Sequence, residues 1–293
     1  MSETKLSKFA NKEVLEFYRS LPFNYYSDIN QQIDSVKNGM INIAANGSLD
    51  EQIKNSKRII DIGCGAGWLS NSISYLYKGK KVTGVDFNSV AINRAAEVAK
   101  TMNLSTEFHV DDLFNFKPNQ RYDFLISIGV LMCTNDCMKA IKSVIQNCLT
   151  EKGKIYIGLY HLHGRKPFLN YFKNLQSKGY SNDELLKEYS KIHTSLKDKT
   201  HLESWFRDQV LHPHETLHTM EEIMPILESE NMILTSTSIN KFEKINYVKN
   251  EGYDKTQLQS IFEKEKKMKE ASEKALIEKR YYPGFFTFFA ERK

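Results

Sequence analysis

The sequence predicts a doubly wound α/β sheet, and three observations carry that expectation. Between residues 58 and 159 short apolar runs alternate with segments of helical period, a glycine-rich turn stands at the first strand-to-helix junction, and a Phe-rich run closes the chain. Such alternation is the pattern of repeated βαβ units, whose right-handed crossovers build a parallel sheet. Strands are expected over 58–62, 81–86, 106–110, 122–128 and 154–159, with helices over about 66–77, 89–102 and 135–149 between them. A further helix over 220–230 leads to a strand over 233–239, and the apolar run 285–290 must be buried, expected beside that strand.

Two segments interrupt this pattern. After Leu159 about sixty residues intervene before the next unit, too many for an ordinary loop. Helical spacing near 166–176 and 183–196 makes this insertion a helical cap over one sheet edge. A second insertion, 253–280, alternates Lys and Glu at helical spacing and reads as a surface helix. At the other end, Val14, Leu15, Phe17, Tyr18 and Leu21 are spaced for one helix face before Pro22, and an aromatic run follows at once. The expected organisation is an N-terminal helical and aromatic segment over 1–57, an α/β domain over 58–163 and 219–293, and a cap over 164–218.

Composition narrows the classes. Apolar residues at 41% and charged residues at 26% are those of a folded globular chain. Basic residues exceed acidic ones by only five without gathering into one region, which makes nucleic acid an unlikely partner. The chain starts without an apolar leader and holds no run long enough for a membrane span, so a cytoplasmic protein with no membrane partner is expected. Cys64, Cys133, Cys137 and Cys148 form no CxxC pair and are expected as reduced thiols.

The most informative segment is Ile59-Ile60-Asp61-Ile62-Gly63-Cys64-Gly65-Ala66-Gly67-Trp68, a buried strand running into a turn that opens a helix. Small residues there let a ligand approach the backbone, where helix N-terminal N–H groups favour polar atoms. Counting from Gly63, the sixth position is Trp68, so the spacing is D-x-G-x-G-x-G, and the G-x-G-x-x-G of dinucleotide enzymes is absent. A dehydrogenase is thereby disfavoured. Asp86 ends the second strand, where a carboxylate can accept both hydroxyl protons of a ribose; its alternative role is an N-cap for the helix starting near Ser89. After the third strand comes Val110-Asp111-Asp112-Leu113-Phe114, where one acid can accept adenine amino hydrogens and Leu113 offers a backbone N–H, or where the acids simply solvate a turn.

Together these residues resemble the class I S-adenosylmethionine-dependent methyltransferase family, over roughly residues 58–160 and the terminal strands. The resemblance implies a Rossmann-like, seven-stranded sheet with six parallel strands and an antiparallel last one, with S-adenosylmethionine as cofactor. It places Asp61, Gly63, Cys64, Gly65 and Gly67 against the methionine part. Asp86 and Phe87 would lie at the ribose, and Asp112 and Leu113 at the adenine. It also runs the loop Ser127-Ile128-Gly129-Val130-Leu131-Met132-Cys133-Thr134 beneath the cofactor, with apolar residues such as Ile128 and Val130 flanking it. That loop lacks the Pro-Pro-aromatic motif of base amino-methylases, which counts against nucleic-acid bases as acceptors. A looser resemblance reaches bacterial members with a Leu-Pro-Phe-Asn-Tyr-Tyr segment and a His-Pro-His-Glu insertion.

Ligands of open α/β sheets lie beyond the strands' carboxyl ends, so the residues after the fifth strand are candidates for handling an acceptor. Tyr160, His161, His163 and Arg165 stand there, with histidine as a general base and arginine for an anionic group. A second polar cluster, 207–218, offers Arg207, His212, His214 and Glu215; Pro213 and the spacing argue against a metal. His161, His163 and His214 are the catalytic candidates. Tyr160, Arg165, Arg207, His212, Glu215, Tyr25 and Tyr26 are the substrate-binding ones, with Tyr18 beside the last two. Each has a bland alternative in cap or core packing. The expected reaction is methyl transfer to a small, possibly anionic metabolite by a monomer or dimer. Methylation of tRNA or protein, favoured by the Lys-rich stretch 264–279, and a non-catalytic S-adenosylmethionine-binding regulator stay open.

Overall fold

The computed structural model describes residues 6–45 and 47–293; the expectation of a start without a leader rests partly on residues 1–5, which lie outside the described residues. Helices α1 (Lys12–Ser20), α2 (Ile29–Ala45) and α3 (Gly47–Asn55) precede the sheet. The α/β units follow as β1 (Arg58–Ile62), α4 (Trp68–Leu76), β2 (Lys81–Asp86), α5 (Ser89–Thr101), β3 (Glu107–Val110), β4 (Tyr122–Ile128), α6 (Cys137–Cys148) and β5 (Leu149–Tyr160). Then come α7 (Leu162–Ser177), α8 (Asn182–Ile192), α9 (Lys199–Val210), α10 (Met220–Ser229) and β6 (Met232–Thr237). A small hairpin, β7 (Tyr247–Val248) and β8 (Gly252–Tyr253), leads to α11 (Lys255–Ile277) and the last strand, β9 (Phe285–Arg292).

The main sheet has the order β3-β2-β1-β4-β5-β9-β6. Strands β1 to β5 run parallel, and β9 is antiparallel to both β5 and β6. The doubly wound, seven-stranded expectation therefore stands. The terminal strand β9 does lie beside β6 as expected, and it also wedges between that strand and β5.

Alternate residues of each strand feed two layers, because successive side chains leave a strand on opposite faces. Ile60, Ile62, Leu125, Ile155, Ile157, Phe286 and Phe288 pack on one face with α6 and α10. Ile59, Val82, Phe124, Ile126, Tyr156 and Phe289 pack on the other with Leu49, Ile53, Leu69 and Ile73 of α3 and α4. Burial on both faces explains why these strands read as continuous apolar runs.

Most element ends shift by a residue or two from the sequence expectation. The fifth strand starts earlier, at Leu149, which pairs with Tyr122 across an irregular register. Helix α9 was not legible as a helix: its buried residues are Ser204, Phe206 and Gln209, so its inner face is partly polar and carries little apolar period. Helices α7, α8 and α9 form a small separate core of Phe168, Phe172, Leu185, Tyr189, Ile192 and Phe206. Helix α11 carries Lys and Glu outward but buries Ile261, Glu265, Ser272 and Ala275, and it packs along α7, so the second insertion joins the first. Among the described residues no helix is long and apolar enough to cross a membrane.

Phe288 is fully buried in β9, opposite Ile157 of β5 and Thr237 of β6. Phe288→Ala is expected to lower stability by about 3–5 kcal/mol in chemical denaturation, the usual range for a core aromatic truncated to alanine.

Candidate functional site

A cavity of about 650 Å³ opens at the carboxyl ends of the parallel strands, within the range of small-molecule sites. Its floor is the turn after β1. Gly63 has φ +73°, and a Cβ there would stand 2.3 Å from a Val130 methyl, so only glycine lets the loop after β4 close on this turn. Gly65 also has a left-handed φ, +53°, but a Cβ there would meet nothing within 4 Å. The space over Gly65 is open, as a cofactor lying on the backbone requires. Gly67 caps α4 with φ +76° and presses against Ala95 instead, outside the cavity lining.

Asp86 sits at the end of β2 beside this space. Its Oδ2 accepts from the Gly65 N–H at 2.9 Å and its Oδ1 from the Asn88 N–H at 2.8 Å. Each oxygen keeps a lone pair for a further donor. The N-cap of α5 is the Asn88 side chain, so the capping alternative for Asp86 is not what the structure shows. Asp61 is buried, accepts from Ser70 Oγ at 2.6 Å, and is pushed by burial up to about 6. Asp112 is held tightly, its Oδ2 accepting from the Ser7 N–H at 2.7 Å and its Oδ1 from the Phe114 N–H at 3.1 Å. Cys64, Phe87, Leu113, Ile128 and Val130 complete this half of the lining.

The opposite half is built by α1, α9, the end of β5 and the segment before β9. Tyr18 donates from its hydroxyl to Asp208 Oδ1. Gln209 Nε2 donates to Asp208 Oδ2 at 2.5 Å and to the Tyr160 hydroxyl at 2.6 Å, while the Tyr281 hydroxyl donates to Gln209 Oε1 at 3.0 Å. Burial raises the Asp208 carboxyl above the usual carboxylate range, partly offset by the Tyr18 hydrogen bond. Burial likewise pushes the Tyr18 and Tyr160 hydroxyls well above their ordinary range. Asp208, Gln209 and Tyr281 escaped the sequence reading. The polar cluster 207–218 was noticed, but without a visible helical period nothing indicated which of its side chains turn inward.

Of the acceptor-side candidates from the sequence, Tyr160 and Tyr18 line the cavity. His161 is fully buried; its Nδ1 caps α7 by accepting from the His163 and Gly164 N–H groups, and its Nε2 meets Glu265 at 3.0 Å. His163 lies outside the lining, its ring 5.6 Å from that of His161. His214 donates from Nε2 to the Thr134 carbonyl at 3.0 Å. His212 packs on Phe17 and Tyr18, and burial pushes it down to about 4. Of the three catalytic expectations, His161 and His214 thus fall on groups used to hold the chain, and His163 lies outside the lining.

The arginines are likewise occupied. Arg165 is fully buried and binds Glu215 through Nε at 3.0 Å and Gln209 Oε1 through Nη1 at 2.9 Å, so Glu215 is also withdrawn. Arg207 donates to the Phe17 carbonyl and to Ser20 Oγ, tying α9 to α1. Tyr25 accepts from Arg94, and Tyr26 packs at a tilt against His201. From the N-terminal segment the lining takes Tyr18, one of the three tyrosines expected there, with Pro22, Phe23 and Asn24 in place of Tyr25 and Tyr26.

Two outcomes are expected. Gly65→Val, whose side chain enters the open space and strains a left-handed residue, abolishes cofactor binding in calorimetry. Asp61 is protonated below about 6 and ionised above it, with Ser70 and Asp86 as its near neighbours. If its charge meets a cationic part of the cofactor, affinity rises with pH across that value, and Asp61→Asn flattens the rise.

Comparison with known proteins bears on the family. A model described as a methyltransferase domain matches residues 53–288. The malonyl-[acyl-carrier protein] O-methyltransferase of Bacillus cereus is 25% identical over 195 residues, covering 63% of this chain and 71% of that one. The ribosomal RNA small subunit methyltransferase C of Buchnera aphidicola is 30% identical over 122 residues, 40% of this chain and 37% of that one. The structure of PKMT2 from Rickettsia typhi shares the fold, with a TM-score of 0.58 and 15% identity over 82% of this chain and 49% of that chain. With its glycine turn, its strand order and a family match over most of its length, the chain belongs to the methyltransferase domain family, in its class I form.

Proposed function

We propose that this methyltransferase transfers the methyl group of S-adenosylmethionine to a small molecule held in the same cavity. The observation that carries this is the continuity of one cavity from Gly65 and Asp86 to Tyr160 and Asp208. When bound, the cofactor supplies an electrophilic methyl group, and the protein has to orient donor and acceptor and exclude water. Gly63 and Gly65 admit the methionine part to the backbone. Asp86 takes the ribose hydroxyls with its remaining lone pairs. Phe87, Leu113, Ile128 and Val130 sandwich the adenine, with Asp112 at its edge. Tyr18 and Phe23 cover the reacting centre from above.

The lining favours an uncharged or cationic acceptor over the anionic one expected from sequence. Among the described lining residues there is no lysine, arginine or histidine, and the charged ones are Asp61, Asp86, Asp111, Asp112 and Asp208. The Bacillus relative acts, by its name, on a malonyl group. A malonyl carboxylate would find no cation here, so that acceptor is not carried over. Of the lysines of α11, Lys269 pairs with Glu273 and Lys274 with Glu278 along the helix, so the tRNA alternative rests on the remaining ones.

Titration with S-adenosylhomocysteine tests the donor half. The wild type binds, and Asp86→Ala binds about 10- to 100-fold more weakly, as expected for lost hydrogen bonds to a charged group. Equal affinities in folded samples of both would overturn the assignment.

A further inference from the structure

The acceptor half of the cavity holds a carboxylate that no described cationic side chain pairs with directly. Asp208 faces the lining, and its partners Tyr18, Gln209 and Tyr160 give it hydrogen bonds but no positive charge. No described lysine, arginine or histidine lies within ion-pair distance of it. The nearest guanidinium, Arg165, is placed behind the Tyr160 ring, 4.1 Å from its centroid, and is paired with Glu215. Arg165, Glu215 and an ionised Asp208 therefore sum to one negative charge taken out of water, which is costly unless a cation joins it.

The surroundings suit such a cation. Tyr18, Phe23, Tyr160, Trp205, Tyr281 and Phe285 line the same cavity as Asp208. Aromatic faces attract a positive charge, the more so where water is excluded. A carboxylate among rings, with no basic side chain in the cavity lining, is an arrangement that binds ammonium groups and rejects carboxylates.

We propose that the methyl acceptor is an amine, bound as its ammonium ion by Asp208 among these rings and methylated on nitrogen after its proton passes to the Asp208 carboxylate. The proton transfer leaves a neutral amine and a neutral carboxyl. The nitrogen lone pair then forms the N–C bond while the C–S bond of the sulfonium breaks, and the positive charge moves from sulfur to nitrogen. The thioether S-adenosylhomocysteine leaves, and the proton on Asp208 returns to solvent as the product departs. Burial already raises this carboxyl above its usual range, which helps it to take the proton. Tyr18, Tyr160 and Gln209 act as positioning residues that aim the carboxylate.

This inference builds on the assignment of the cavity to a methyl donor, so the test measures the two separately. The protein is saturated with S-adenosylhomocysteine and titrated calorimetrically with 2-phenylethylamine and tryptamine, each against its matched alcohol and carboxylate. Each amine is expected to bind at least tenfold more tightly than its partners. Asp208→Asn should remove that preference and leave S-adenosylhomocysteine affinity within about twofold. Trp205→Leu, which keeps the carboxylate and removes one ring, should weaken the amines several-fold and the alcohols little. Alcohols or carboxylates binding as well as the amines would overturn the proposal. So would a preference that survives in Asp208→Asn. If S-adenosylhomocysteine itself failed to bind, the donor assignment would fall first, and the amine proposal with it.

Discussion

A guanidinium with no exposure to solvent has to be satisfied inside the protein, and the acceptor half of this molecule is arranged around one. Arg165 sits in the second turn of α7 and spends its donors on Glu215, on the Gln209 side chain and on the Gln209 carbonyl. Its planar face lies between Tyr160 at the end of β5 and Phe168 of α7. A single side chain thus fastens the cap helices, the 212–218 segment and the sheet together. Leaving such a charge unpaired is far costlier than never burying it, so Gln209 and Glu215 are constrained by Arg165 before any ligand is considered. Gln209 in turn orients Tyr160 and Asp208.

The backbone reinforces this joint. The His161 N–H donates to the Gly284 carbonyl at 2.8 Å, and the His218 N–H to the Tyr160 carbonyl at 2.9 Å. Gly284 has φ +57°, and a Cβ there would fall 2.5 Å from the Arg165 backbone. The start of α7, the segment before α10 and the bend before β9 therefore converge at one point. His161 belongs to this joint as helix cap and as partner of Glu265, which also accepts from the Met220 N–H. Its chemistry is spent on holding three segments in place.

The cavity accordingly has two halves of different origin. One rests on the sheet, where Gly63, Gly65 and Asp86 follow directly from the ends of β1 and β2. The other is assembled from α1, α9 and the approach to β9, brought over it by the cap. Asn88 donates to the Tyr18 carbonyl at 2.9 Å while the Tyr18 hydroxyl reaches Asp208, so α1 bridges the halves. On the proposed reading, a donor site on a rigid sheet with an acceptor site on an inserted cap allows one fold to serve many acceptors.

The sheet half was readable from residue order alone. Strand periodicity, the glycine spacing after Ile62 and the acid ending β2 are local patterns, and a parallel sheet places the ends of its strands along one edge whatever the rest of the chain does. Of the other half only Tyr18 and Tyr160 were readable, because its members come from distant segments and their roles depend on which way each side chain turns. His161, His163, His214, Arg165 and Arg207 look reactive in a list of residues, yet burial and pairing commit four of them to holding elements together and leave His163 outside the cavity. Asp208 and Gln209 lie in the same stretch and turn inward only because Arg165 and Tyr18 are there to receive them. Sequence by itself determined the fold and the glycine turn with its neighbouring acid, since both rest on short-range geometry. Tertiary packing alone decided which polar groups keep a free face toward the acceptor, since that is settled by what remains after every buried charge has found its partner.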